Sequence, residues 1–105
     1  MTPEEVNEEL LKEFAIHKET DIVTPELKKL LMDLIWQESY TRYNDMNENL
    51  KILCESDAYT HCCKNSIYFS PDKSNDARIY VIMIIRCSFA GTIVREKHLK
   101  TKIKI

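Results

Sequence analysis

A single glycine, Gly91, serves all 105 residues of this chain, where average usage would supply about seven. That scarcity constrains what the chain can build. Glycine-rich dinucleotide fingerprints, phosphate loops and nucleophile elbows all need several glycines, because the backbone must turn sharply or approach a ligand without a Cβ in the way. No cofactor-binding fingerprint can be written here. An enzyme is not expected, and action through the outer surface is.

The length allows one domain with a modest core. A hydrophobic fraction of 44% with nine aromatic residues excludes a plain disordered chain. The net charge of −2 gives no global field pointing to a polyanion. Its distribution is uneven, however. Residues 1–53 carry twelve acids against six bases, and residues 54–105 five acids against nine bases. The structural signals change at the same place, so one domain (1–105) is read as an acidic helical half (1–53) joined to a basic, β-rich half (64–105).

In the first half, Thr2-Pro3-Glu4-Glu5 has capping-box spacing with proline at the first helical position. Val6, Leu10, Leu11 and Phe14 then share a helix face, and a break is expected within Ala15–Val23. Thr24-Pro25-Glu26 starts a second helix carrying Leu27, Leu30, Leu31, Leu34 and Ile35. Tyr43, Met46, Leu50 and Leu53 can extend its stripe, so a long helix is expected. A break inside Asn44–Asn47 is the alternative, since Asn and Asp offer the backbone local hydrogen bonds.

In the second half, the odd positions from Ile79 to Phe89 are all apolar, which predicts a central strand. Asn65–Ser70 would pair with it through a turn over Pro71–Ala77. Ala90-Gly91-Thr92 would reverse the chain into a short strand, Thr92–Arg95. Leu99, Thr101, Ile103 and Ile105 alternate with Lys100, Lys102 and Lys104 as an edge strand. The expected fold is α+β, two helices packed on a small antiparallel sheet.

Candidate chemistry is sparse. Cys54, His61, Cys62 and Cys63 are metal-ligand types, but Cys-x-x-Cys spacing is missing, and metal binding or disulfide formation stays open beside ordinary thiols. Cys87 reads as a core residue of the central strand, and His17 and His98 as surface residues. Lys100, Lys102 and Lys104 on one sheet face, about 6.6 Å apart, could meet successive phosphates or could simply protect a sheet edge. Trp36, Tyr40 and Tyr43 cannot all join the buried stripe, and exposed aromatics favour protein contacts.

Asn49–Glu55, Ser66–Ser70 and Arg78–Ile85 together resemble the middle of a poly-ADP-ribose polymerase catalytic domain. The resemblance implies strands at the last two segments and Tyr68 as the NAD-stacking tyrosine. The His-Gly pair of that family has no counterpart here, so it implies at most a degenerate, non-catalytic fragment.

The acidic N-terminus lacks a basic, then apolar, leader, and the run Ile79–Ile85 is too short to span a bilayer. A cytoplasmic or nuclear location with reduced thiols is expected. The function expected is a non-enzymatic binding or adaptor domain acting on another protein or on itself, with Trp36, Tyr40, Tyr43, Lys100, Lys102 and Lys104 as candidate contacts. No membrane partner is expected. The alternatives are a nucleic-acid-binding module using the basic C-terminal strand, and the ADP-ribosyltransferase-like fragment.

Overall fold

The computed structural model describes residues 1–70 and 76–103, with side chains to Leu99. Four helices run in chain order: α1 (Pro3–Thr20), α2 (Pro25–Arg42), α3 (Glu48–Asn65) and α4 (Ala77–Ile103). A short 3₁₀ turn, Ser66–Tyr68, closes α3. Among the described residues there is no strand, so the α+β expectation is overturned and the fold is all-helical. Lys104, the remainder of the expected edge strand and most of the expected Pro71–Ala77 turn lie outside the described residues.

The helix starts obey local chemistry. The Thr2 side chain accepts from the Glu5 amide while the Glu5 side chain accepts in return from the Thr2 amide, the reciprocal capping box. The Thr24 side chain accepts from the Leu27 amide at 3.1 Å, and its hydroxyl donates to the buried Glu13 carboxylate on α1. One cap thereby also ties α1 to α2. Asp21 ends α1 in the left-handed region at φ 59°, a position Asp tolerates better than most residues. The long second helix is not continuous. It stops at Arg42, and the Asn47 side chain accepts from the Asn49 and Leu50 amides to start α3.

The segment expected to form the central strand is the core helix. Ala77, Val81, Ile82, Ile85, Ser88, Phe89 and Thr92 are buried, a spacing of three and four residues that only a helix turns to one side. The N-terminus of α4 is capped by Asp76, which accepts from the Ile79 amide at 2.9 Å. Asn7 of α1 adds a second cap, its Oδ1 accepting from the Ala77 amide at 2.6 Å and the Arg78 amide at 3.3 Å.

Around α4 the core gathers Leu10, Phe14, Leu27, Leu31, Leu34, Ile35, Cys54, Ala58, Cys62 and Phe69. Phe89 is fully enclosed and its ring lies 4.8 Å from that of Tyr43, which the α2 C-terminus delivers to the core edge. At the other end Phe69 sits between Phe14 and Tyr80, with centroids 5.6 and 5.0 Å away.

α4 has 27 residues and the other helices 18 each, about 40 Å against about 27 Å of axis. Beyond Thr92 no described side chain is buried. Ala77–Leu99 is long and apolar enough to cross a membrane by length and composition alone, which corrects the expectation from the shorter run. A core helix passes the same test, and α4 packs against all three other helices here.

Candidate functional site

The α3–α4 contact is built from three polar rungs at successive levels. At one end the Tyr80 hydroxyl donates to the Asn65 carbonyl at 2.9 Å. In the middle His61 Nδ1 lies 2.6 Å from Ser88 Oγ. At the other end Asp57 accepts from the Thr92 hydroxyl at 2.9 Å and from Arg95 Nη2 at 2.7 Å. Asp57, His61 and Asn65 are each one helical turn apart on α3, and Ser88 and Thr92 one turn apart on α4, so antiparallel packing brings the rungs into line.

Between the Tyr80–Asn65 and His61–Ser88 rungs the surface opens into a groove of about 430 Å³, lined by His61, Asn65, Tyr80, Met83, Ile84, Cys87 and Ser88. The walls are mainly apolar and the His61–Ser88 pair forms the polar floor. That pair has the spacing of a base and a nucleophile. Among the described residues no hydrogen bond joins His61 to a third group that would orient it: the Asp57 carboxylate is taken by Thr92 and Arg95. Both residues lie inside long helices, whose backbone amides are already bonded and cannot serve as an oxyanion hole. The geometry joins two helices and offers a place for an apolar body with one polar contact.

Asp57 carries the main electrostatic feature of this contact. Burial alone would raise its carboxyl, but the Arg95 and Thr92 hydrogen bonds and the Arg95 charge hold it below the ordinary 3.8. A depressed folded value stabilises the fold fully above the unfolded carboxylate range, and that stability drains away as pH falls through the folded value. Asp57→Asn is therefore expected to lower stability by about 1 kcal/mol at neutral pH. The gap to the parent should close as the pH is lowered from about 4. Urea titrations at a series of pH values check this; a gap independent of pH would contradict it.

The outer side of α4 is bare. Ile79, Met83 and Val94 are 44%, 60% and 65% exposed, and Cys87 and Ala90 between them are exposed too. From Ile79 to Val94 the only charge is Arg86. It is turned aside onto Glu38 of α2, with Nε at 3.1 Å and Nη2 at 3.3 Å from the carboxylate.

Comparison with family models, with curated proteins and with solved structures finds no match to this chain.

The residues singled out from sequence are dispersed. Trp36 and Tyr40, 53% and 74% exposed, stand one turn apart on the outer face of α2. Tyr43 is separated from them at the core edge. Lys100 and Lys102 lie in the last turns of α4, so the row of lysines on a sheet face does not exist. Tyr68 is exposed in the 3₁₀ turn and Arg78–Ile85 is helical, so neither segment forms the strand that the polymerase resemblance implied.

Among the described residues no three His, Cys, Asp or Glu side chains gather as metal ligands. Cys54 and Cys62 face the core, and burial pushes the Cys62 thiol up to about 12. Cys87, expected in the core, is exposed, because a helix turns it away from Val81 and Ile85. His17, expected at the surface, is buried with its Nδ1 2.6 Å from Ser66 Oγ, and it lines a second cleft with Asp21, Cys63 and Tyr68. Nothing local marked either His17 or the groove, since their partners are 49 and 27 residues distant in the chain.

Proposed function

We propose that the protein is a non-catalytic helical interaction module, working inside the cell in cytoplasm or nucleus, that binds a protein through the bare face of α4 and the adjoining α3–α4 groove. One observation carries this reading. The most apolar helix of the fold keeps Ile79, Met83 and Val94 in solvent along one side, and the only charge in that stretch is drawn off to Glu38. A contiguous apolar strip beside a shallow groove is how surfaces that receive another protein are built. Trp36 and Tyr40 form a smaller aromatic patch on α2, suited to a secondary contact.

The test is proximity labelling in cells with the chain as bait. The double variant Met83→Asp, Val94→Asp is expected to lose its specific neighbours by about tenfold or more while keeping its helical circular dichroism, as truncation of anchor residues does. Trp36→Ala, Tyr40→Ala should lose much less. An unchanged set of neighbours in the α4 variant would overturn the reading. Binding of single-stranded RNA at about 50 mM salt, falling steeply as salt rises, would move the function to the basic end of α4 instead.

A further inference from the structure

The geometry points to a second copy of this chain as the occupant of the bare α4 face, in an antiparallel α4–α4 pair with twofold symmetry. This rests on the proposed interaction face and names what covers it.

Three observations converge. The first is area. The chain exposes 7217 Å², whereas a compact protein of 12.4 kDa is expected to expose about 6,100 Å². The chain exposes more surface than its mass requires, and the apolar side of α4 is part of that surface.

The second is the symmetry of the strip. Ile79, Met83, Cys87, Ala90 and Val94 succeed one another at intervals of four, four, three and four residues, over about 22 Å of axis. Turned end for end about its midpoint, between Arg86 and Cys87, four of its five positions map onto one another, and Cys87 falls level with the second copy's Arg86. Ile79 then lies level with the second copy's Val94, and Met83 with its Ala90, a large side chain against a small one. Gly91, with open space where its Cβ would be, allows the same close approach. An isologous contact needs this self-complementarity.

The third is charge. The Asn7 cap fixes the start of α1, whose first turn carries Glu4 and Glu5, beside the start of α4, where Glu4 shares a cleft with Asp76 and Arg78, so this end is net acidic. The other end runs into Arg95, already paired with Asp57, then Glu96, Lys97 and His98, with Lys100 and Lys102 in the last turns of the same helix, so it is net basic. Antiparallel pairing sets each acidic end against the other copy's basic end. Parallel pairing would set like against like.

Cys87 falls beside the twofold axis in this arrangement, close to its own mate. Light scattering on the purified, reduced chain at about 100 µM is expected to give twice 12.4 kDa. Met83→Asp and Val94→Asp should each weaken the pair about tenfold or more with helical content unchanged. Mild oxidation should link two chains through Cys87, and Cys87→Ser should abolish the link. A single-chain mass at that concentration, a dimer indifferent to both aspartates, or a link that survives Cys87→Ser would each overturn the proposal. A single-chain mass with labelled neighbours still lost from the α4 double variant removes the second copy and keeps the broader interaction reading. A single-chain mass with neighbours unchanged removes both.

Discussion

Replacing Ala90 by proline is expected to cost the fold about 3 kcal/mol or more. Ala90 is exposed and contributes no buried side chain, so a packing loss is not the reason. It lies in the middle of α4, where proline removes a helical N–H bond and drives its ring into the Arg86 carbonyl. The same site in the hairpin expected from the alternating pattern would be a turn, where proline is ordinarily tolerated. Thermal unfolding monitored by far-ultraviolet circular dichroism separates the two cases, with Ala90→Ser as the control expected to stay within about 0.5 kcal/mol. A near-neutral proline would contradict a continuous α4. Because the proposed pairing also uses this face, the measurement belongs at dilute concentration.

Phe89→Ala should be at least as damaging. Phe89 is fully buried and its ring lies against Tyr43 at the place where the end of α2 meets α4. Removing the ring loses its transfer energy and leaves a cavity that rigid helices cannot close, together about 3–5 kcal/mol. A domain of this size has only about 5–15 kcal/mol in total, so the midpoint in urea should fall steeply with little change in slope. Met83→Ala, on the exposed side of the same helix, should leave the dilute protein almost unaffected. Equal losses at the two sites would mean that α4 presents a different side to the core.

Much of the first half was legible because its signals are local. Threonine, proline and glutamate at two helix starts, and leucines at helical spacing in α2, act within a few residues of one another. The interruption at Asn44–Asn47 was readable as an alternative for the same reason: Asn47 caps the N-terminus of α3. The second half departs from its apparent pattern for a physical reason. Ile79–Ile85 is apolar on every side, so a period of two and a period near 3.6 both fit it. Length and turn chemistry decide such a case. Sheets of several strands need tight reversals, and a chain with one glycine is poor in the residues that make them. The scarcity that excluded phosphate loops also argued against hairpins.

The candidate site was hidden more deeply. In the sequence His61 is only a neighbour of two cysteines and Ser88 carries no signal; the antiparallel packing of α3 on α4 brings them within 2.6 Å. A period of two places Cys87 in the interior, and the helix turns it to the outside. Asn7 gave no hint of its role, since the amides it caps are 70 and 71 residues away.

The three rungs between α3 and α4 also restrict how the molecule can move. Shifting one helix along the other by a turn, about 5.4 Å, would break the Asp57–Thr92, His61–Ser88 and Tyr80–Asn65 hydrogen bonds together. Shear of this pair therefore costs three hydrogen bonds, and the looser part of α4 is its end beyond Arg95, since Ile93 still packs against the core and Arg95 still holds Asp57. A binding event at the bare face would act on that loose end, and hydrogen exchange there should slow first.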